Sequence, residues 1–265
     1  MRQPVYFISH GGGPWPWMAE AREAYASLAA SLSAILADPA ARPDAILMVS
    51  AHWVTHGGLR VGSHPHPGMV HDYYGFPPHT YEIRYPAPGD PALAGRVLGL
   101  LATRGIPAKA DPERGYDHGA FVPAYLMAPD AGVPMVQLSI EAGFDPAWHI
   151  AVGRALAPLR DGKVLIIGSG LSYHNLRRLG PDGAEPSARF DAWLQSALAE
   201  GPAGQREAAL CAWEQAPAAR VAHPREDHLI PLHVALGAAD GDAAACFHHE
   251  TGAFGGITVS SFRFG

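Results

Sequence analysis

Cysteine is scarce in this chain. Only Cys211 and Cys246 occur among 265 residues, and they lie far apart in no spacing typical of a metal site. A disulfide-stapled domain needs several cysteines and an oxidising compartment, so this class of protein is excluded. The low cysteine count is typical of a reducing compartment, and we predict a cytoplasmic location.

Long apolar runs and an excess of positive charge are also missing. No apolar run approaches the roughly 20 residues that a membrane helix needs, and the N-terminus shows no basic region followed by an apolar signal core. The formal net charge is −6 with the histidines neutral, which argues against a surface for nucleic acids or anionic membranes. We therefore expect neither a nucleic acid nor a membrane as a partner.

Histidine, by contrast, is abundant. The chain has 15 histidines, more than its nine tyrosines or its nine phenylalanines. Hydrophobic residues make up 48% of the chain, which is enough to fill a sizeable core. Because no internal repeat, low-complexity linker or clear boundary interrupts the sequence, we predict one domain over residues 1–265.

Apolar strands alternate with helical segments along much of the chain. Short runs rich in β-branched and aromatic residues are separated by longer Ala/Leu-rich segments, the first of which predicts a helix over residues 17–38. The strongest predicted strands span residues 4–10, 45–52, 134–140 and 163–170. This alternation predicts an α/β fold with a mostly parallel sheet. The last segment, 257–264, alternates in polarity and predicts an edge strand.

Histidines stand at the ends of these predicted strands. His10 and His52 end the first two, and His174 follows the fourth. In open α/β sheets, ligands bind outside the carboxyl ends of the strands. These three histidines are therefore expected to meet at one edge of the sheet.

The segment 223–233 adds a fourth histidine to this edge. Pro224 suits the first turn of a helix, and acidic residues favour a helix N-terminus, so the pattern predicts a helix that carries His228. Neutral imidazole is a good ligand for Fe, Zn, Cu and Ni, and the four histidines together predict a metal site with the metal left open. His118, in an Asp-His-Gly loop, is a fifth candidate. Five other histidines are predicted to lie mostly at the surface: His56, His64, His66, His248 and His249.

The triple glycine after His10 admits two other interpretations. An HGGG loop forms the oxyanion hole of some α/β esterases, but such enzymes also need a Gly-x-Ser-x-Gly turn. The nearest segment, residues 168–172, does not have that spacing. A phosphate loop is excluded because no Gly-Lys-Ser/Thr follows.

Several motifs together resemble the class III extradiol ring-cleavage dioxygenases, most closely the DOPA 4,5-dioxygenase branch known from plants and bacteria. The motifs are SHGGGPW, SAHW, HDYYGFPPHTYEIRYPAPGDP, DHGAFVP, GSGLSYHN and HPREDHLIPLHVALGAA. They occur in the same order over nearly the whole chain. The resemblance implies a three-layer α/β/α sandwich around a mostly parallel, mixed sheet. It also implies an enzyme that opens an aromatic diol with O₂.

The resemblance further implies roles for the five histidines. His10, His52 and His228 would hold one Fe(II) ion, which is often recorded as zinc in homologues. His174 would be the catalytic acid/base, and His118 would contact the substrate or oxygen. Protocatechuate-type members use a glutamate as the third ligand, whereas the matching position here is a histidine with Glu226 and Asp227 beside it.

Two other functional classes remain open at the level of sequence. A zinc-dependent hydrolase would use the same three histidines to lower the pKa of a bound water, and a non-catalytic metal-binding protein could share the fold. For the dioxygenase, the aromatic loop over residues 71–79 is expected to wall the substrate through Tyr73, Tyr74, Phe76 and His79. We expect this loop to shape substrate choice without building the metal site.

Overall fold

The computed structural model describes residues 2–265. Its centre is a single eight-stranded sheet with the order β4-β3-β5-β2-β6-β1-β8-β7. The strands are β1 (Val5–Ser9), β2 (Ala45–Thr55), β3 (Leu59–Gly62), β4 (Ala108–Asp111), β5 (Met135–Glu141), β6 (Val164–Gly170), β7 (Ala244–Ala253) and β8 (Ile257–Phe264).

The middle of the sheet is parallel and its two flanks are not. β5, β2, β6 and β1 run parallel to one another. β8 and then β7 add antiparallel to this core on one side. On the other side β3 pairs antiparallel with β5, and β4 pairs parallel with β3. The prediction of a mostly parallel, mixed sheet is confirmed.

Helices cover both faces of the sheet. They are α1 (Ala26–Ala34), α2 (Pro91–Thr103), α3 (His118–Met127), α4 (Pro146–Leu156), α5 (Pro181–Gln195), α6 (Ala203–Cys211), α7 (Ala219–Ala222) and α8 (Ile230–Ala239). None of the helices within residues 2–265 is long and apolar enough to cross a membrane.

The strand period of two divides the core into two layers. In β1, Val5 and Phe7 point into the core beneath α2 and α4 to α8, whereas Tyr6 and Ile8 point into the core beneath α1 and α3. All four of these side chains are buried. A strand that is apolar on both faces needs a helical layer on each side, and the predicted three-layer α/β/α sandwich is confirmed.

Aspartates begin three of the helices. Asp90, Asp117 and Asp145 each accept a hydrogen bond from the backbone N–H three residues later. A side-chain acceptor at this position satisfies one of the amides that a helix start leaves unpaired. The cap at Asp117 also fixes the start of α3 at His118.

A predicted helix and a predicted edge strand differ from the structure. The helix expected over residues 17–38 spans only Ala26–Ala34. Turns occupy the chain between Trp15 and Tyr25, whose rings stack face to face. The segment 257–264 is a strand, but the edge prediction is wrong because β7 covers it. The two serines of β8 are buried and paired: Ser261 Oγ accepts from the Ser9 amide, and Gln195 donates to Ser260 Oγ.

Candidate metal centre

A cavity of about 570 Å³ opens beside the carboxyl ends of β1, β2 and β6. All five predicted site histidines line it: His10, His52, His118, His174 and His228. Residues separated by up to 218 positions in the sequence thus meet at one edge of the sheet. The histidines that were expected at this edge of the sheet do lie together there.

His10 is held rigidly where β1 ends. Its backbone N–H donates to Gly170 O at 3.2 Å, and Trp15 Nε1 donates to the His10 carbonyl at 3.0 Å. Its Nδ1 lies 2.8 Å from Gly11 O. A carbonyl can only accept, so Nδ1 carries the proton and Nε2 is left with a lone pair. Nε2 is buried and has no hydrogen-bond partner within residues 2–265.

His52 lies inside β2, because this strand continues beyond its predicted end at residue 52 to Thr55. The pairing of β2 with β5 shifts register between Val49 and Val54. Such irregularities re-aim side chains and are common beside active sites. The His52 amide donates to Ser50 Oγ at 3.2 Å, and Ser50 in turn donates to Asp117 at 2.7 Å.

Asp72 connects two of the site histidines. Its Oδ2 lies 3.2 Å from His52 Nδ1, and its Oδ1 accepts from both Nδ1 and the backbone N–H of His118, at 2.8 and 3.0 Å. Burial alone would raise the pKa of Asp72, but the hydrogen bonds from His118 and His52 lower it strongly. Asp72 is therefore a carboxylate that orients both imidazoles. Sequence reasoning missed it, and it lies in the aromatic loop that was expected not to build the site.

His228 lies in a turn before α8 and not on a helix that starts near Pro224, so that prediction is wrong. The amides of Leu229 and Ile230 bond to Glu226 O, and the proline of the first helical turn is Pro231. Asp227 Oδ1 accepts from both the backbone N–H and Nδ1 of His228, at 2.8 and 2.9 Å.

Two glycines of β6 let this turn approach the sheet. A Cβ atom at Gly170 would lie 2.1 Å from His228 O, and one at Gly168 would lie 2.2 Å from Pro231 O. Both distances are far below van der Waals contact. The Leu171 amide donates to His228 O at 3.1 Å and closes the contact. The two glycines of the Gly-Ser-Gly motif therefore allow the turn that carries His228 to pack closely against β6.

The nitrogen geometry fits a bound cation. His52 Nε2 and His228 Nε2 lie 3.2 Å apart. Because both Nδ1 atoms donate to carboxylates, two lone pairs face each other when the imidazoles are neutral. Two nitrogens bound about 2.1 Å from one ion at about 90–110° would lie ~3.0–3.4 Å apart. The pair therefore has the spacing of two ligands of one metal.

Geometry offers two groups of possible ligands, and each contains one histidine of this pair. The ligand atoms of His10, His52 and His118 lie within 4.8 Å of one another, as do those of His174, Asp227 and His228. The set that the family resemblance implies takes two histidines from the first group and His228 from the second.

The environment favours neutral imidazole at several of these positions. Burial, followed by the charges of neighbouring histidines, lowers the pKa of both His10 and His228 well below its ordinary value. Burial also lowers the pKa of His174 to about 4. At His52 burial likewise lowers the pKa, but the hydrogen bond to Asp72 and nearby carboxylates outweigh it and raise the pKa overall. Neutral imidazole is the form that binds a metal.

His174 stacks flat against His228. The two ring centroids lie 3.4 Å apart with an interplanar angle of 15°. His174 Nδ1 is 3.9 Å from Asp227 Oδ1, which is too long for a hydrogen bond. The ring is therefore less firmly held than those of His10, His52 and His228, and it borders the open cavity.

The serine-esterase interpretation fails at the candidate nucleophiles. Ser169 is fully buried and donates to Gly119 O. Ser172 is also buried, and its Oγ accepts from the Ser260 amide at 2.8 Å. Neither hydroxyl is free to attack a substrate.

Three of the four residues of the aromatic loop that were predicted to wall the substrate line the cavity. Tyr73, Tyr74 and Phe76 line the cavity. His79 is exposed and lies 3.3 Å from Trp17 O through its Nε2, away from the cavity lining.

Among the histidines predicted at the surface, His56, His64, His66 and His249 are exposed. The prediction is wrong for His248, which is buried on β7. A strand alternates the direction of its side chains, but β7 is too polar to have been recognised as a strand from its sequence.

The chain matches a known family over nearly its whole length. Residues 4–265 match the family described as "Catalytic LigB subunit of aromatic ring-opening dioxygenase". A 4,5-DOPA dioxygenase extradiol of Beta vulgaris is 41% identical over 227 residues, which cover 84% of this chain and 83% of that protein. The protein of the same name from Escherichia coli (strain K12) is 39% identical over 230 residues, with coverages of 84% and 83%.

A fungal relative and a solved structure extend the match. A dioxygenase of Hapsidospora irregularis named tasH is 36% identical over 280 aligned residues, covering 99% of this chain and 85% of that protein. The crystal structure of an uncharacterized protein of Escherichia coli K12 superimposes with a TM-score of 0.75 at 32% identity, and each chain is covered completely. The chain therefore belongs to the family of metal-dependent aromatic ring-opening dioxygenases, as an enzyme of the extradiol type.

Proposed function

We propose that this enzyme opens the ring of a catechol with O₂ at one Fe(II) ion held by His10, His52 and His228. The observation that carries the ligand assignment is the 3.2 Å approach of His52 Nε2 to His228 Nε2, with both Nδ1 atoms directed at carboxylates. The buried and unpaired Nε2 of His10 supplies the third donor. These three residues would hold the ion and leave other coordination positions open, and iron would supply the redox chemistry that Zn²⁺ lacks.

The protein orients the donors through residues outside the ligand set. Asp72 holds His52, Asp227 holds His228, and the Gly11 carbonyl holds His10. Partners of this kind fix the imidazole tautomer and increase the basicity of the nitrogen that binds the ion. The same Asp72 keeps His118 beside the ligands, in a position to contact the substrate or O₂.

His174 is the residue that we assign to proton transfer. It borders the cavity, and its lowered pKa keeps the ring neutral near pH 7, so that it can accept a proton from a catechol hydroxyl and later return it. The stack on His228 keeps the His174 ring beside the proposed ligands.

The names of the relatives support a catechol as the substrate. The relatives from Beta vulgaris and Escherichia coli are named 4,5-DOPA dioxygenase extradiol. A cavity of about 570 Å³ is large enough for a substituted catechol. We propose a DOPA-like or related aromatic diol.

Metal content tests the ligand set. Elemental analysis of iron-loaded His52→Ala and His228→Ala should show near-total loss of metal, because each variant removes a donor from a three-histidine site. The variant His56→Ala, which removes an exposed histidine, is the matched control and should keep the full metal content. Full occupancy in either site variant would remove that residue from the set.

Oxygen uptake tests the metal itself. Iron-loaded protein should consume O₂ with a catechol and form a yellow ring-opened product. Zinc-loaded, iron-free protein should not, although zinc binds such sites more tightly than Fe²⁺. Equal rates with the two metals would contradict the assignment of iron.

A further inference from the structure

Large exposed hydrophobic side chains gather at the mouth of the cavity. Within residues 2–265 the side chains of this kind are Tyr74, Tyr81, Leu176 and Leu179. Three of the four, all but Tyr81, line the cavity. Single exposed apolar residues are ordinary, but a cluster around one opening marks a surface that receives an apolar ligand.

The two leucines are presented by a short helical turn. Residues Leu176–Arg178 form a turn with about three residues per revolution, which places Leu176 and Leu179 on the same side. Arg177 and Arg178 fall on its other sides, and neither lines the cavity.

Hydrogen bonds fix this turn in place. Tyr173 donates through its hydroxyl to Arg178 O at 3.0 Å, and Asn175 donates through Nδ2 to Val221 O at 2.7 Å. The Asn175 Oδ1 atom also accepts from the Arg177 amide at 3.1 Å. The direction of the leucines is therefore built into the fold.

An aromatic surface lies between the mouth and the metal ligands. Trp15 stacks on Tyr25 with centroids 4.5 Å apart, and Tyr25 meets Phe254 edge to face at 5.3 Å. All three side chains line the cavity, and Trp15 is hydrogen-bonded to the His10 carbonyl. Apolar side chains thus occur both beside the ligand His10 and at the opening.

The cavity is poorly equipped to receive a charged group. Along residues 2–265, the cavity lining includes no lysine or arginine. Its one carboxylate, Asp72, already accepts hydrogen bonds with both oxygens. A carboxylate on the substrate would lose water here without gaining a lysine or arginine partner, and such burial is unfavourable.

We propose that the preferred catechol carries an uncharged, apolar substituent, which rests against Leu176, Leu179 and the Phe254 ring. This inference rests on the proposed function and narrows it: the catechol differs from DOPA, whose side chain carries both an ammonium and a carboxylate group. The diol oxygens face the histidines and the substituent extends towards the mouth.

Binding to zinc-loaded protein tests the preference without turnover. Dissociation constants are measured by titration calorimetry for 4-methyl-, 4-ethyl- and 4-propylcatechol, and for two charged compounds with the same three-carbon length, 3-(3,4-dihydroxyphenyl)propionate and DOPA. Affinity should rise about fourfold for each added methylene. Propylcatechol should bind at least about tenfold more tightly than either charged compound. Equal or tighter binding of the propionate or of DOPA would overturn the proposal.

Variants on the two sides of the turn locate the preference. Leu176→Arg places a cation at the mouth and should raise the affinity for the propionate relative to propylcatechol by at least about tenfold. Leu176 is exposed, so the variant should fold, which its circular dichroism spectrum checks. Arg177→Leu is the matched control on the opposite side and should leave the ratio within about twofold. A lower relative affinity for the propionate in Arg177→Leu would show that this arginine reaches the substituent and that the proposal is wrong.

Oxygen uptake by the iron-loaded protein separates this inference from the proposed function. Absence of uptake with every catechol, combined with the expected order of dissociation constants, would reject the proposed reaction and leave the ligand preference standing. If oxygen uptake is fastest with DOPA and DOPA also binds most tightly, the ligand preference is rejected and the proposed reaction is supported. Failure of every catechol to bind would overturn both.

Discussion

Asp72 shows how much of the site depends on a single residue outside the proposed ligand set. Its two oxygens accept hydrogen bonds from Nδ1 of His52 and Nδ1 of His118. A carboxylate can accept from both rings at once, and in doing so it fixes both tautomers with Nε2 free. A neutral amide cannot do this, because one of its two positions is a donor.

Asp72→Asn should therefore weaken the metal site while leaving the fold intact. The amide NH₂ would face one Nδ1 atom, and that histidine would have to move its proton to Nε2 or turn away. We expect metal affinity to fall about 10–100-fold, measured by competition with a fluorescent chelator. Asp130→Asn, which changes a carboxylate in an exposed ion pair with Arg42, is the control. Unchanged affinity in Asp72→Asn would show that the histidines keep their tautomers without it.

His174 is expected to act on protons and not on the ion. His174→Gln keeps a polar side chain of similar length but removes the group that can gain and lose a proton. Turnover should fall about 10²–10⁴-fold, with metal content and catechol binding largely retained. Single-turnover kinetics and elemental analysis on the same sample check this. If the variant loses its metal, His174 is a ligand and one of the three proposed donors must be reassigned.

At the scale of elements, α8 is held in place by a buried histidine that takes no part in the site. His233 lies within α8, with Nδ1 3.2 Å from Leu229 O and Nε2 3.1 Å from Leu210 O. A neutral ring can donate to only one of these two carbonyls; with the proton on Nε2 it donates to Leu210 O and links α8 to the end of α6. Burial lowers the pKa of His233 to about 4.

The lowered pKa of His233 makes the stability of the fold sensitive to acid. Between about pH 6.5 and pH 4 the unfolded chain binds a proton at this histidine that the folded chain does not. The free energy of unfolding should therefore be highest above pH 6.5 and should fall as the pH drops towards 4, by up to ~1.4 kcal/mol per pH unit for this group. Below the folded pKa the loss from His233 is complete.

His233→Gln isolates this contribution. Urea unfolding of the metal-free protein at several pH values should show a shallower loss of stability between pH 6.5 and 4 in the variant than in the wild type. His56→Gln, at an exposed position, should leave the slope as it is in the wild type. An equal slope in His233→Gln and the wild type would show that His233 is not buried in its neutral form.

At the scale of the whole molecule, the proposed ion would connect segments that are remote in sequence. His10 follows β1, His52 lies in β2, and His228 precedes α8. These elements belong to the sheet and to the layer that covers it. An ion that binds only the folded arrangement stabilises the whole domain by mass action.

Removal of the metal should consequently lower the melting temperature. At a free metal concentration 100 times the dissociation constant, the stabilisation is about 2.7 kcal/mol, which corresponds to a shift on the order of 5–10 °C for a chain of this size. Calorimetry of loaded and chelator-treated protein measures the shift, and adding either iron or zinc should restore it. His228→Ala should show little shift; a full shift in this variant would place the ion elsewhere.

Much of the fold follows from local sequence patterns. The four central strands and the α/β class could be predicted because apolar periodicity acts within a few residues. The histidines at strand ends could be placed at one edge because parallel strands carry their carboxyl ends to the same side. The motifs were also sufficient to predict the family, which the match over residues 4–265 confirms.

Only the tertiary structure decided how the site is completed and which strand forms the edge of the sheet. Asp72 belongs to a loop whose path no local pattern predicts, yet it pairs with His52 and His118. The start of α8 at Ile230 depends on the packing of the His228 turn against Gly168 and Gly170. β8 is interior because the polar strand β7 pairs with it and because partners from other elements satisfy its serines. In each case the deciding interaction joins residues that are distant in the chain, so its free energy depends on the assembled fold and leaves no trace in local periodicity.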